Sequence, residues 1–264
     1  MIALVALLLA IDAAPATEAR AQAAAATPLR DAKTILADYA KAIGEEKLWK
    51  KHKSVRVKRE VSVKAMHFVS SEETRIAKGG KLYSESQMPG MGTFLRGSDG
   101  RIAWAKDPIG GLRVLKDAEA EDVRIAAAWN SEWHLAEIYA GVQSVLPPKA
   151  VPGQSSECVG LRKSKGTPIE ICFDRTTHLR VWEQGVQASQ GGEVPYVTRF
   201  SDWRPVDGVL VWHREDVTIG PVTMEGRTVA IVFDEPVRAK LFAIPPRLSH
   251  ADAGPSQSRA SRPR

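Results

Sequence analysis

The sequence predicts an α+β domain that is mostly antiparallel β-sheet. Two Asp-Gly dipeptides, Asp99-Gly100 and Asp207-Gly208, each separate alternating apolar stretches, which is the pattern of a β-hairpin closed by a primed turn. From Ser54 onward the apolar residues recur with a period of two, whereas a clear helical period is found near the start of the chain. The length of the chain suits one domain of this class.

The first 21 residues have the pattern of an export signal. An apolar run over 2–11 is followed by small residues, and Ala19-Arg-Ala21 offers a cleavage site, so the mature chain is expected to begin at Gln22. The run is about half as long as the roughly 20 residues that span a bilayer. We therefore expect a soluble protein that is periplasmic or otherwise exported.

The predicted domain covers residues 22–246 and is followed by a tail. Residues 247–264 contain four arginines, one aspartate and almost no core-forming side chains, so a disordered basic tail is expected. Without residues 1–21 the chain has 36 lysines and arginines against 29 aspartates and glutamates, a net charge of +7.

An amphipathic helix is the first predicted element of the domain. Thr27 is the expected N-cap, Pro28 fills the first helical position, and Gly44 ends the helix. One face is apolar and consists of Leu29, Ala32, Ile35, Leu36, Tyr39 and Ile43. A short helical turn is expected at 45–51.

The first predicted strand places Val55, Val57, Val61 and Val63 on one face. A helical insertion from Asp117 to about Tyr139 interrupts the strands that follow. Those strands are predicted at 73–78, 81–88, 93–98, 101–106, 112–115, 142–146, 157–163, 168–174, 179–187, 194–203, 209–219 and 227–233.

The two cysteines, Cys158 and Cys172, are predicted to form a disulfide. Pairing Val159 with Ile171, both apolar, leaves 164–166 as a three-residue loop with a glycine at its left-handed position. The same register sets the cysteines directly opposite each other on the outer face, at a pair without backbone hydrogen bonds, where side chains approach most closely. The alternative is two reduced, half-exposed thiols.

The order of these elements and several short stretches resemble the LolA/LolB-like outer-membrane lipoprotein-sorting proteins. The stretches that carry the resemblance are 39–44, 81–83, 88–92, 97–104, 173–174 and 200–209, spread between Leu29 and Pro245. They are turns and strand edges without a catalytic signature. The resemblance implies a curved sheet, or half-barrel, packed on the N-terminal helix and the insertion, with an apolar hollow that holds acyl chains in the carrier proteins.

The seven tryptophans allow two interpretations. Most of them fill the core in an ordinary sheet-on-helix domain, whereas several would line the hollow of a half-barrel. Phe94, Trp104 and Trp129 are the predicted lining residues, because they fall on the central hairpin and on the insertion that would cover it.

Arg59 is the predicted polar anchor of the hollow. Alternation puts it on the same face as the four valines of the first strand, where a guanidinium needs a partner such as a ligand carboxylate, phosphate or ester oxygen. The alternatives are a bulge that reverses its direction, or a position at the rim from which the head reaches water.

Basic residues are concentrated between Lys47 and Arg59. Such a cluster is either a solvated surface or a contact with an anionic membrane. Nucleic acid is the poorer interpretation, because the stretch has no aromatic and basic stacking motif and export removes the chain from its usual nucleic-acid partners.

The sequence has no pattern of an enzyme site. A nucleophile elbow, a phosphate loop, a dinucleotide fingerprint and metal-ligand spacing are all missing, so neither a cofactor nor a metal is expected. Glu132-Trp-His134 with Glu137 is the one helical segment that places acids near a histidine, and His213 is the best candidate for a single functional histidine.

The function predicted from these features is non-enzymatic binding of a lipid, or of the acyl chains of a lipoprotein, by an exported monomer. Two alternatives stay open: a periplasmic module that binds or senses other proteins, and an enzyme whose site has no recognised motif. A polar cluster with neighbouring acid and base groups in the hollow would favour the enzyme.

Overall fold

The computed structural model describes residues 29–108, 110–148, 155–189, 192–243 and 245. The predicted export signal and basic tail lie outside these residues. Among the described residues, no helix combines the length and the apolar composition needed to cross a membrane.

The described residues form one curved, unclosed sheet of thirteen strands in which every neighbouring pair is antiparallel. The strand order is β6-β5-β4-β3-β2-β1-β13-β12-β11-β10-β9-β8-β7, so β6 and β7 are the two edges. The strands are β1 Ser54–Val63, β2 Phe68–Ala77, β3 Lys81–Met88, β4 Gly92–Asp99, β5 Ala103–Asp107, β6 Gly111–Val114, β7 Gly141–Val145, β8 Ser156–Arg162, β9 Ile169–Asp174, β10 Arg180–Ser189, β11 Gly192–Val206, β12 Val209–Ile219 and β13 Val222–Phe233. The predicted mostly antiparallel α+β fold is confirmed.

The helices are short and lie on one side of the sheet. They are α1 Ala32–Ala42, α2 Glu46–Lys50, α3 Asp117–Ala126 and α4 Leu135–Ile138, with 3-10 turns at Lys64–Met66, Ser131–Trp133 and Ala239–Leu241. The predicted insertion is therefore two helices and a 3-10 turn rather than one continuous helix.

The start of α1 differs from the prediction. Its N-cap is Asp31, whose side chain accepts a hydrogen bond of 3.0 Å from the backbone N–H of Thr34. Thr27 and Pro28 lie outside the described residues. An aspartate is as good a cap as a threonine, and Asp31 is the one that precedes the first helical residue.

The main core lies between α1, α4 and the face of β8 and β9 that points toward them. Buried aromatic and aliphatic side chains meet there, and the ring of Tyr39 lies 4.9 Å from that of Phe173. A smaller core joins α3 to β5 and consists of Ala105, Leu115 and Val123.

Two of the three predicted turns form as expected. Asp207 and Gly208 both have positive φ, as a two-residue primed turn requires, and Gly166 has a φ of 91° in the three-residue loop. At Asp99-Gly100 the prediction of a primed turn is wrong. Only Gly100 has positive φ, and the Asp99 carboxylate instead accepts the backbone N–H groups of Arg101 and Ile102.

The predicted disulfide and its register are confirmed. Val159 opposes Ile171, and Cys158 and Cys172 are bonded to each other with their Cα atoms 4.1 Å apart. Both cysteines are on the outer face, as predicted, but they are buried because Trp182 packs over them and is itself covered by Arg199.

Candidate functional site

The helix-covered side of the sheet, called the concave face below, holds the candidate site. Directly opposed residues of neighbouring strands point to the same side, so the register identifies which side chains share this face. One line of opposed residues crosses five strands and is called the Arg59 row: Phe94, Ser86, Glu72, Arg59 and Thr228.

A second line of opposed residues shows that the Arg59 row faces the helices. Val61, two positions after Arg59, opposes Gly226, which opposes Glu215, which in turn opposes Phe200. The ring of Phe200 lies 4.2 Å from the guanidinium carbon of Arg180, a side chain that bonds to the insertion.

Arg59 has the orientation that the alternation predicts. The β-bulge next to it lies in β13, where Val229 is the extra residue, while β1 pairs with β2 without a shift. The alternative that a bulge reverses Arg59 is therefore wrong. The side chain is half-buried, and its Nε is buried without a hydrogen-bond acceptor.

Arg59 also has no ion-pair partner among the described residues, although Glu72 stands directly opposite on β2. Its neighbours along β1 on the same face are Val57 and Val61, both half-buried. The concave face thus carries a half-buried guanidinium that lies between two valines along its strand and has no ion-pair partner within the described ranges, which is a costly arrangement.

Trp104 does not lie on the concave face, so the prediction that it shares the hollow with Phe94 is wrong. It opposes Gly97, which opposes Tyr83. Gly97 is three positions after Phe94 on the same strand, so by alternation this line of residues points to the side opposite the Arg59 row. Trp104 is on the outer face and yet only 2% exposed, because its ring lies over Gly97.

Trp129 lies at one end of the concave face, away from the Arg59 row. It belongs to an aromatic cluster in which Trp49 of α2 is 5.8 Å from both Trp129 and Trp133, and 5.0 Å from Phe233. Phe233 opposes Val55, four positions before Arg59 on β1. The structure therefore places Phe94 and Arg59 in one row, and it places Trp129 in the aromatic cluster at the end of the concave face.

The insertion covers the concave face between the two halves of the sheet. Helix α3 contacts β4 and β5 on one side and β10 on the other. Lys163 pairs with Asp122 at 2.6 Å, and the backbone N–H of Ser164 donates to Glu121 at 3.0 Å, which ties α3 to the loop after β8. The hydrogen bonds from Arg124 to Glu121 lower the pKa of that carboxyl to about 2.

A partly buried polar cluster, missed by the sequence analysis, lies under the insertion. Its members are Tyr39, Glu132, Arg180, Glu183 and Tyr196. The Tyr39 hydroxyl donates to Glu132 at 2.5 Å, Arg180 reaches Glu132 at 3.4 Å and Glu183 at 2.6 Å, and Tyr196 donates to Glu183. Two carboxylates thus share one guanidinium.

The polar cluster keeps its hydroxyls protonated. Burial, and then the charge of Glu132, raises the pKa of Tyr39 far above its usual value; burial and Glu183 do the same for Tyr196. Burial would lower the pKa of Arg180, but the charges of Glu183 and Glu132 outweigh it and raise that pKa. Both tyrosines therefore stay protonated, and Arg180 stays charged, near neutral pH.

The sequence grouped Glu132 with His134 and Glu137, but the structure separates them. Glu132 points to Arg180, whereas His134 bonds to Glu46 of α2 at 2.6 Å and to Glu137. His213 contacts the carbonyl of Val211 through Nδ1. Among the described residues, no group of three or more histidines, cysteines and carboxylates could hold a metal ion.

Most basic residues between Lys47 and Arg59 are paired with carboxylates. Lys50 pairs with Glu46, and Lys51 with Asp207. Arg56 pairs with Glu235 at 2.7 Å on the outer face. This pairing lowers the net positive charge that the stretch presents to an anionic surface.

Solved structures of known proteins resemble this fold. A LolA superfamily protein from Nitrosomonas europaea aligns with a TM-score of 0.52 and 12% sequence identity, over 81% of this chain and 97% of that one. A DUF1329 family protein from Desulfovibrio piger aligns with a TM-score of 0.51 and 11% identity, over 80% of this chain and 97% of that one. An outer membrane lipoprotein-sorting protein domain from Vibrio parahaemolyticus gives a TM-score of 0.47 at 12% identity, over 78% of this chain and 94% of that domain.

The sequence itself matches no protein-family model and no curated protein. At 11–12% identity the two alignments above a TM-score of 0.5 establish the fold and nothing finer. The curved antiparallel sheet, its unclosed edges and the helices on one face agree with those alignments. The chain has a LolA/LolB-like half-barrel fold.

Proposed function

We propose that the protein is exported and binds a hydrophobic ligand, a lipid or the acyl chain of a lipoprotein, on its concave face without performing chemistry. The observation that carries this proposal is the guanidinium of Arg59, which lies among half-buried valines of β1 and is unpaired in the part of the chain that the structure describes. The fold supports this proposal, since a LolA superfamily protein has a similar fold.

In this proposal the ligand supplies a hydrogen-bond acceptor for Arg59 and covers the apolar side chains beside it. A carboxylate, phosphate or ester oxygen can accept hydrogen bonds from the planar donor fork of Arg59, and the acyl chain removes the neighbouring valines from water. Phe94 lies in the same row, three strands from Arg59 and beyond Ser86 and Glu72. Trp129 belongs to the aromatic cluster that closes the end of this surface.

A binding role is favoured over catalysis by the state of the polar cluster. Glu132 and Glu183 already accept hydrogen bonds from Arg180 and from tyrosines, and the raised pKa of each tyrosine keeps it protonated. Export is favoured by the Cys158–Cys172 disulfide, because such bonds persist mainly in oxidising compartments.

The proposal is tested by titrating delipidated protein with a fluorescent fatty-acid probe. Saturable binding is expected for the natural sequence, and Arg59→Leu should weaken it about tenfold, the loss typical of a hydrogen bond to a charged group. Lys58→Leu is the matched control, because Lys58 is the neighbouring cation on the outer face. Its substitution removes the same charge as Arg59→Leu but leaves the Arg59 row unchanged.

Two results would contradict the proposal. Equal weakening by Arg59→Leu and Lys58→Leu would show that only overall charge matters. No saturable response with any acyl probe, in protein shown to be free of bound lipid, would favour a module that binds other proteins.

A further inference from the structure

The part of the concave face formed by β2 and β3 carries a group of hydroxyl side chains, called the hydroxyl patch below: Thr74, Ser84 and Ser86. Ser86 opposes Glu72 in the Arg59 row, and Thr74 opposes Ser84 in the next row along the strands. These side chains are half-buried. The same side of β8 and β9 is instead packed against α1 by buried apolar side chains. The two halves of the concave face therefore offer different surfaces to a ligand.

A guanidinium stands on each side of the hydroxyl patch. Arg59 of β1 opposes Glu72, and Arg96 of β4 opposes Ser84. Neither guanidinium has a hydrogen bond or an ion pair in the part of the chain that the structure describes. Strands β1 and β4 are three strand spacings apart, about 14 Å, and side chains stand roughly perpendicular to a sheet. The two guanidiniums thus bracket an area longer than a single phosphate.

The hydroxyls form a chain of hydrogen bonds that ends on Glu72. Thr74 Oγ1 donates to Oε1 of Glu72 at 3.3 Å, and since a hydroxyl has one proton, Thr74 must accept from Ser84 at 3.1 Å. The oxygen of Ser84 and the second carboxylate oxygen of Glu72 therefore remain as acceptors. The donors that remain are the N–H groups of the two guanidiniums. A complementary head group needs oxygens that accept from the guanidiniums and O–H groups that donate to the patch.

Hydroxyl groups meet this requirement better than an ammonium group. Four charged side chains on the strands of the concave face have no ion pair among the described residues: Arg59, Arg96, Glu72 and Glu215. The two signs are equal in number, so the face does not call for an added cation. A hydroxyl can donate to Ser84 and also accept from Arg96, whereas an ammonium group only donates and would meet Arg96 as a like charge.

We propose that the concave site selects an amphiphile whose head is a phosphate ester of a polyol, with the phosphate on Arg59 and the polyol on the hydroxyl patch. The phosphate takes the bidentate donor geometry of the Arg59 guanidinium, and the far oxygens of the polyol accept from Arg96. The acyl chain lies along β1 and β13, over the half-buried Val57, Val61 and Ile231. This inference rests on the proposed function, because it requires an acyl ligand on the concave face.

The experiment compares three lipids with the same acyl chain: lysophosphatidylglycerol, lysophosphatidylethanolamine and lysophosphatidic acid. Each is used below its micellar concentration to displace a fluorescent fatty-acid probe from delipidated protein. The first carries a diol on its phosphate, the second an ammonium group, and the third neither. Lysophosphatidylglycerol should bind tightest to the natural sequence, and this comparison decides the question even if a variant folds poorly.

Variants then locate the polyol. The Ser84→Ala, Ser86→Ala double variant should weaken lysophosphatidylglycerol about tenfold, the loss expected for two neutral hydrogen bonds, and leave lysophosphatidic acid unchanged. Arg96→Leu should have the same selectivity, whereas Arg59→Leu should weaken all three lipids. The Ser62→Ala, Ser71→Ala double variant is the matched control, because these serines lie on the outer face of β1 and β2. It should bind each lipid as the natural sequence does.

Equal affinities for the three lipids, or equal weakening by the two double variants, would overturn the polyol inference and leave acyl binding intact. Displacement of the bound probe by none of the three lipids would overturn it as well. Failure of the fatty-acid probe itself to bind would instead refute the proposed function.

Discussion

Gly97 and Trp104 oppose each other on β4 and β5, and the indole ring occupies the space that a side chain at position 97 would need. A Cβ built on Gly97 lies 2.3 Å from Cζ2 and 2.4 Å from Cε2 of Trp104. This contact explains how a tryptophan on the outer face of the sheet becomes almost fully buried.

The first prediction is that Gly97→Ala destabilises the protein by about 1–3 kcal/mol, because the added methyl forces the ring out of its position. Urea unfolding measures the loss. Combined with Trp104→Leu, which removes the ring, the same glycine substitution should cost much less, since residues in contact are not additive. Additive losses would show that the ring is not the obstacle.

The second prediction concerns the disulfide between Cys158 and Cys172, which closes a loop with a sequence separation of 14. Reduction should lower the free energy of unfolding by about 3 kcal/mol, the loop-closure value for a loop of roughly 15 residues. The Cys158→Ala, Cys172→Ala double variant should be insensitive to reductant. Labelling of both cysteines in unfolded, unreduced exported protein would refute the bridge.

This hairpin could be predicted from the sequence because its determinants are local. Val159 and Ile171 set the register, Gly166 supplies the left-handed loop position, and the cysteines follow from alternation. The shared face of the four valines of β1 could be predicted for the same reason. At Asp99-Gly100 the local rule failed, because the aspartate side chain satisfies two backbone N–H groups and thereby favours a wider turn.

The features that could not be predicted from the sequence depend on contacts between residues that are far apart in the chain. Alternation says that neighbours on a strand point to opposite sides, but not which side the helices will cover, and this ambiguity misplaced Trp104. The polar cluster joins α1, the insertion, β10 and β11, so its members come from distant parts of the chain; Tyr39 and Glu132, for example, are 93 positions apart. No periodicity links such positions.

The third prediction concerns pH and His134. Its hydrogen bond to Glu46, together with Glu137, raises the pKa of His134 above 6.5. A pKa that is higher in the folded state means that the imidazolium stabilises the fold. The contribution is complete below the unfolded pKa and is lost as the pH rises through the folded-state pKa.

Between about pH 6 and pH 8 the natural sequence should therefore lose more stability than His134→Gln, which does not titrate. Burial would raise the pKa of Glu46, but its hydrogen bonds to Lys50 and His134 outweigh burial and lower it, so Glu46 stays ionised over this window. The difference between the two curves therefore isolates the histidine. Thermal unfolding at both pH values measures it. Parallel curves would contradict the prediction.

The fourth prediction concerns Arg180. Arg180→Leu should destabilise the protein by about 2–4 kcal/mol, somewhat less than the loss for a fully buried pair, because it leaves two partly buried carboxylates without their cation. Adding Glu132→Gln and Glu183→Gln should restore part of the loss by removing those charges. Denaturant unfolding of the single and triple variants provides the comparison. A triple variant less stable than Arg180→Leu would show that the carboxylates are stabilised by other contacts.

The last prediction tests whether α3 acts as the cover of the concave face. Val123 is fully buried between α3 and β5, in the small core with Ala105 and Leu115. Val123→Ala should cost about 1–3 kcal/mol through the cavity it leaves. Because this core holds α3 against the sheet, the variant should also release a bound acyl probe faster, as measured by stopped-flow chase with excess unlabelled fatty acid.

Val159→Ala is the matched control, since Val159 is equally buried but belongs to the main core under α1. It should lose comparable stability without faster release. Equal acceleration by both variants would mean that release follows global stability rather than the opening of α3.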